Sequence, residues 1–230
     1  MLQDISKRRQ ELVEAAFRGL AIAWTDFEGQ LEQVPVIRKL NRGHLQIGDY
    51  RALLKNLRQQ VVDGGCWIAR AASHVDADHF EIRSHFMKHA VTEHRDFQMI
   101  EANFIACGGT LEEIRSAPKN IGSEALSAFM FHKASQPNPF ALLGAMFMIE
   151  GLGSRKAVEW GAAIKEQLGL DDHQVSFMLY HGAHDDDHLD ELETHLAMTV
   201  HDESDVQDVV RTARIVGRLY ALQLEELDHV

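Results

Sequence analysis

Residues 177–192 read FMLYHGAHDDDHLDEL, and this stretch carries the most specific pattern in the chain. His181, Asp185 and His188 stand at positions i, i+4 and i+7, so on an α-helix their side chains project from one stripe. Such a stripe, with two imidazoles and one carboxylate, supplies half of a metal cage on a rigid frame. Dinuclear iron and manganese sites in helical bundles are built from carboxylates and histidines on facing helices. The stretch therefore predicts a helical bundle with a metal site in its interior.

The alternative for this stretch is a solvated acidic face, because much of it is Asp and Glu. Against that alternative, the stripe directly follows the apolar residues 177–180, on a helix that must bury one side. We therefore interpret the three side chains as metal ligands. Mixed nitrogen and oxygen ligands favour redox iron or manganese over structural zinc. His184 and His195 lie at flanking angles, where they could orient a ligand or simply face solvent.

Helical periodicity extends outward from this stretch along most of the chain. Apolar residues recur at three- and four-residue spacing, and runs of alternating β-branched residues are nearly absent. We predict seven main helices, beginning and ending near residues 4–32, 48–73, 76–107, 123–135, 138–168, 171–200 and 204 onward. A capping box at Thr110–Glu113 predicts one further short turn of helix. The expected fold is all-α, a bundle of about seven helices in a single domain over residues 1–230.

Composition narrows the function classes. The net charge is −12, which disfavours a nucleic-acid partner because phosphate binding needs a concentrated basic face. The N-terminal residues lack the apolar core of a signal peptide, and the longest apolar run, residues 139–149, is too short to span a bilayer. Two cysteines without Cys-x-x-Cys spacing suit a reducing compartment. We expect a soluble cytoplasmic protein, and the 14 histidines indicate metal or proton chemistry.

A second candidate ligand is Glu150, which ends the long apolar run and is followed by Gly151 and Gly153. A buried carboxylate needs a partner, because burying an unpaired charge is costly. A metal ion would provide that partner, and Arg155 or a helix N-terminus could do so equally. We interpret Glu150 as a metal ligand.

The predicted helix 76–107 carries two stripes of candidate ligands. His85, His89 and Asp96 share one stripe, with Glu93 at its edge. A second stripe contains His94 together with Glu101. A helix has one inward face, so at most one stripe can supply a buried site. The residues alone leave the choice open.

With these pieces the chain resembles the heme-oxygenase-like α-helical superfamily over about residues 34–225, and within it most closely the diiron oxidases. Residues 147–153 resemble the superfamily's Glu-Gly helix. The diiron oxidases carry a Glu and a His on one core helix, a Glu on the next, and His-x3-Asp-x2-His on a third. The resemblance implies that His181, Asp185 and His188 are the third element and Glu150 the second.

The resemblance further implies that His94 is the first-helix histidine. The family places the first-helix glutamate three or seven residues earlier, where this chain has Val91 and Met87. Glu93 and His89 are the nearest substitutes. Two metals, one metal, a weakened second site and an altered ligand set all remain open.

The resemblance implies a non-heme iron protein with one or two irons, manganese and zinc being alternatives, that uses O2 to oxidise a small organic molecule. Heme is not expected, because no histidine precedes His44 to serve as the axial ligand of a heme oxygenase. A thiaminase-II-like activity fits less well, because neither cysteine has a matching context. The other hypothesis is a non-catalytic binding or regulatory protein with a degenerate metal site. Members of the superfamily are often dimers, so a homodimer is an alternative to a monomer.

Overall fold

The computed structural model of the chain describes residues 2–182 and 191–227. The described helices are α1 (Leu2–Leu31), α2 (Pro35–Asn41), α3 (Ile47–His74), α4 (Phe80–Glu93), α5 (Phe97–Ala106), α6 (Leu111–Ser116), α7 (Ile121–Ala134), α8 (Leu142–Leu152), α9 (Val158–Leu168), α10 (176–182), α11 (Leu192–Thr199) and α12 (Glu203–Glu225). No strand occurs in these two ranges. The predicted all-α class is confirmed.

Helix starts follow the sequence signals, with small shifts. Thr110 accepts a hydrogen bond from the backbone N–H of Glu113 and opens α6, as its capping box predicts. Asp171 caps the short 3-10 turn that leads into α10. Asp202, two residues before the predicted start of the last helix at residue 204, caps α12, because its carboxylate accepts from two backbone N–H groups of the first turn.

The predicted helix 76–107 is broken after Glu93, and α5 starts at Phe97. The break lies where α4 and α3 approach closely. A Cβ on Gly65 of α3 would stand 2.8 Å from the Cα of His94, a distance that only glycine permits. Because the chain turns at residues 94–96, the residues on either side of the break do not share one continuous helical face.

The predicted helix 138–168 is interrupted as well. A π-helical turn, Gly153–Ala157, separates α8 from α9 and begins three residues after Glu150. Such turns are rare and occur frequently at functional sites.

The helices pack around one continuous apolar core. The long helices α1 and α12 lie against each other, α8 packs on α12, and α3 contacts α4, α5 and α7. Phe27, Tyr50, Phe86, Phe104 and Met130 are among its most deeply buried large side chains. This arrangement brings the inner faces of α4, α8 and α10 together, and the candidate ligands lie there.

In the part of the chain that the structure describes, no helix has both the length and the apolar character that crossing a membrane requires.

Candidate metal centre

Five side chains from three helices and one helix start meet in the interior. His89 and Glu93 come from α4, Asp96 precedes α5, Glu150 comes from α8 and His181 from α10. We call these five residues the central cluster. Of the two stripes on the predicted helix 76–107, the structure turns the one with His89 and Asp96 inward, with Glu93 beside them.

His89 links α4 to α8. Its Nε2 lies 3.0 Å from the Oε1 atom of Glu150 and 3.7 Å from the Oε1 atom of Glu93. The His89 side chain is 3% exposed and that of Glu150 is 9% exposed. A deeply buried imidazole thus lies between two carboxylates.

Glu93, Asp96 and His181 form the other half of the central cluster. One ligand atom from each of them lies within 4.8 Å of the other two. The Nε2 of His181 is 3.4 Å from Oδ2 of Asp96. Bonds from a divalent metal to such nitrogen and oxygen donors are about 2.0–2.2 Å long, so one ion can reach all three with small side-chain shifts. Glu93 contacts both halves and is placed to bridge them.

The pKa of Glu93 is shifted by burial and by the charges of the other members of the central cluster. Burial is the largest cause, and the nearby negative charge of Glu150 the second, of a rise in the pKa of Glu93 to about 7. His89 and His181 act in the opposite direction, and Asp96 adds to the rise. Three carboxylates therefore compete for one buried space. A divalent cation would offset the repulsion among these three carboxylates.

Asn103 positions α10, and hence His181. This fully buried side chain on α5 donates to the backbone oxygen of His173 (2.7 Å) and to the Ser176 hydroxyl (2.8 Å), and it accepts from the N–H of Phe177 (3.1 Å). His181 lies one turn later and stacks on Phe177, with ring centroids 4.4 Å apart. Sequence reasoning missed Asn103, and its only signal was a polar residue on an otherwise apolar face.

His94 does not reach the central cluster. Its exposed ring bonds to the backbone oxygen of Val91 (2.7 Å) and accepts from Nε of Arg95 (3.0 Å). The sequence predicts one unbroken helix over residues 76–107, whereas the structure breaks it after Glu93 and leaves His94 exposed. On this wall the structure instead presents His89, Glu93 and Asp96, the last of which was absent from the implied ligand set.

Two further sequence interpretations can be located. Arg155, the alternative partner of Glu150, instead lies over the ring of Trp24, with its Cζ 4.7 Å from the ring centroid. Asp185 and His188, the other two members of the stripe that begins at His181, lie outside the described residues, as does His184. Their role as ligands stays a prediction.

Comparison with known proteins identifies the family. A family model described as iron-containing redox enzyme matches residues 97–221, more than half of the chain. The chain belongs to this family. No curated protein is similar enough in sequence to be matched.

Solved structures share the fold of this family member at low sequence identity. A domain of unknown function with a heme oxygenase-like fold from Shewanella denitrificans is 19% identical, with a TM-score of 0.85 over 91% of this chain and 90% of the other. A TenA homolog from Pseudomonas syringae is 14% identical, with a TM-score of 0.76 over 93% and 92%. A TenA homologue from P. horikoshii is 13% identical, with a TM-score of 0.69 over 92% and 97%. These likenesses establish the heme-oxygenase-like fold.

In this iron-containing redox enzyme family member, a cavity of about 130 Å³ adjoins the central cluster. His89, Glu93, Glu150 and His181 line one part of it. Most of the remaining lining is apolar and includes Leu57, Trp67, Met130, Met146, Trp160 and Phe177.

A second polar patch in the lining comes from α3 and α7. Asp63 accepts hydrogen bonds from the ammonium group of Lys119 and from the hydroxyl of Ser127, both at 2.6 Å. Asp63 and Ser127 line the cavity, together with Gln60 and Ser123. The cavity lining thus combines carboxylates and imidazoles, a hydrogen-bonding patch and a mainly apolar surface.

Proposed function

We propose that this chain is a non-heme iron oxidoreductase that uses O2 to oxidise a small organic molecule, with iron held by the central cluster. The observation that carries this proposal is the meeting of three carboxylates and two imidazoles at the wall of an apolar cavity. The family supports the choice of iron, because the model that matches the chain is described as iron-containing redox enzyme.

The donor set fits one or two irons. Imidazole and carboxylate ligands are those of non-heme iron and manganese sites, whereas sulfur ligands would indicate structural zinc or iron–sulfur clusters. In our proposal Glu93, Asp96 and His181 would hold one ion, and His89 and Glu150 would hold a second. Asp185 and His188, which lie outside the described residues, are predicted to complete the set. When bound, iron would supply the activation of O2, which the side chains of the chain cannot provide.

The cavity supports a small and mainly apolar substrate. Its volume of about 130 Å³ is close to the roughly 150 Å³ that encloses a benzene molecule in an apolar engineered cavity. Trp67, Trp160 and Phe177 would exclude water from the reacting atoms, which strengthens electrostatic interactions there. Asp63 and Ser127 would orient a polar group of the substrate. We infer that the substrate combines an apolar body with one hydrogen-bonding group.

Anaerobic reconstitution of the metal-free protein with ferrous iron tests the proposal. We expect about one to two irons per chain by elemental analysis, and an absorbance change when O2 is added. Glu93→Gln and His181→Ala should each lower the iron content at least twofold. His94→Ala is the matched control, because its ring is exposed, and it should bind iron as the wild type does.

Three results would contradict the proposal. An iron content well below half an ion per chain would show that the protein does not bind iron. Iron binding that His181→Ala leaves unchanged would show that the iron lies outside the central cluster. Metal binding without any response to O2 would favour a hydrolytic zinc or manganese site. In each case the non-catalytic binding protein or the hydrolase would replace the oxidase.

A further inference from the structure

A second group of metal-ligating side chains lies outside the central cluster. His85 lies one turn before His89 on α4, and Glu191 and His195 lie at the start of α11 and within it. The Nδ1 of His85 is 3.1 Å from Oε2 of Glu191, and the rings of His85 and His195 have centroids 3.9 Å apart. We call these three residues the outer cluster.

The outer cluster contains one imidazole more than a histidine–carboxylate ion pair. A histidine–carboxylate pair requires one imidazole, and here a second imidazole lies against the first. One ligand atom from each of the three residues lies within 4.8 Å of the other two. Metal–ligand bonds of about 2.0–2.2 Å allow one ion to span such a group. Two imidazoles and one carboxylate also form a recurrent donor set for catalytic zinc.

The outer and central clusters are neighbours with separate ligands. The rings of His85 and His89 have centroids 5.8 Å apart, and a cavity of about 10 Å³ is lined by residues of both clusters. The outer cluster is the more accessible, because the Glu191 side chain is 56% exposed whereas that of His89 is 3% exposed. An ion could therefore enter the outer cluster from solvent without passing through the central cluster.

We propose that His85, Glu191 and His195 form an additional site for a divalent transition metal with a solvent position left open, and zinc is the probe that tests it. The site is independent of the oxidase proposal, since none of its three ligands belongs to the central cluster. It adds one ion to those that the central cluster binds.

Zinc titration of the full-length metal-free protein tests this site. The bound zinc is counted by elemental analysis after removal of free metal. His195→Ala and His85→Gln should each bind roughly one zinc per chain less than the wild type. The control is His201→Ala, an exposed histidine just beyond the same helix, which should bind as much zinc as the wild type. A melting curve for each variant verifies that it is folded.

The pattern across variants separates this proposal from the oxidase proposal. A folded His195→Ala and a folded Glu191→Gln that both retain the full zinc count would overturn the outer site. A loss in His195→Ala with none in His181→Ala would support the outer site and contradict the central one. If His195→Ala does not fold, Glu191→Gln decides alone, because its exposed side chain contributes little to packing.

Discussion

Two glutamates eight residues apart, Glu101 buried and Glu93 half-buried, have opposite electrostatic surroundings. Glu101 on α5 accepts from Nε of Arg58 at 2.8 Å and from two nitrogens of Arg115, both at 2.9 Å. These contacts hold its pKa below the ordinary value, with the hydrogen bonds from Arg115 as the largest cause. The pKa of Glu93 is instead raised to about 7 by burial and by Glu150.

The difference indicates which carboxylate is structural. Arg58 and Arg115 balance the negative charge of Glu101, so this carboxylate needs no added cation. Glu93 shares its surroundings with two further carboxylates and two imidazoles, an arrangement that an external cation would stabilise. The comparison predicts that Glu101 serves stability and that Glu93 serves metal binding.

The largest effect on stability is expected from Glu101→Ala. Its removal leaves Arg58, whose side chain is 12% exposed, as a buried cation without its carboxylate. We expect a loss of about 3 kcal/mol in the free energy of unfolding, measured by urea denaturation, and no loss of iron from the folded protein. Glu112→Ala, an exposed position on α6, is the control. A loss below about 1 kcal/mol would contradict the structural role.

The pH dependence of the Glu101 contribution follows from the lowered pKa. A carboxyl whose pKa is lower in the folded state stabilises the protein above the pKa of the unfolded chain. That contribution is lost as the pH falls through the folded value. The stability difference between wild type and Glu101→Gln should therefore shrink as the pH is lowered into the acid range.

Asn103→Ala tests the connection between the two glutamate sites. Asn103 lies two residues after Glu101 and holds the start of α10 through its three hydrogen bonds. We expect a loss of about 2 kcal/mol in the free energy of unfolding, because buried partners are left without hydrogen bonds. Iron affinity should also fall, since His181 is no longer held in place. Gln98→Ala, an exposed position on α5, should change neither quantity, and unchanged iron affinity in Asn103→Ala would contradict the positioning role.

Glu93→Gln should have the opposite sign from Glu101→Ala. A carboxyl with a raised folded pKa stabilises the protein below the pKa of the unfolded chain and loses that contribution as the pH rises through the folded value, here about 7. At about pH 8 the metal-free Glu93→Gln variant should therefore be more stable than the wild type by about 1–2 kcal/mol, while binding less iron. Near pH 5 the gain should be much smaller. If the variant and the wild type were equally stable at both pH values, the pKa of Glu93 would not be raised in the folded protein.

The smallest effect is expected from His94→Ala. Its ring is exposed, so the free energy of unfolding should change by less than about 0.5 kcal/mol, and the iron content should not change. Chemical denaturation and elemental analysis measure the two quantities. A loss of iron as large as that of His181→Ala would restore the family register and contradict the structure on this wall.

The sequence predicted the all-α fold because helical periodicity and caps are local signals. The stripe of His89 and Asp96 was also visible, since it needs only helical geometry. The choice between this stripe and the one with His94 was not, because it depends on the break after Glu93. That break lies where Gly65 of α3 meets His94, a contact between segments far apart in the chain. Long-range packing of this kind leaves no periodic signal in the residues.

The partners of Glu93 and Glu101 could not be predicted from the sequence either, because they also depend on long-range packing. The sequence around Glu101 does not predict its contacts with Arg58 and Arg115. The sequence around Glu93 likewise does not predict its proximity to Glu150. Asn103 likewise acts on residues about seventy positions away. Local pattern therefore predicted the candidate residues, and tertiary packing decided their roles.

Anomalous X-ray diffraction at the iron absorption edge, from crystals grown anaerobically with ferrous iron, would show whether the central cluster binds iron. We expect an anomalous peak within about 2.0–2.3 Å of a Glu93 carboxylate oxygen, with His181 or Glu150 as a further ligand of the same ion. An iron peak bound to His94, or a central cluster without any peak in iron-loaded protein, would contradict it.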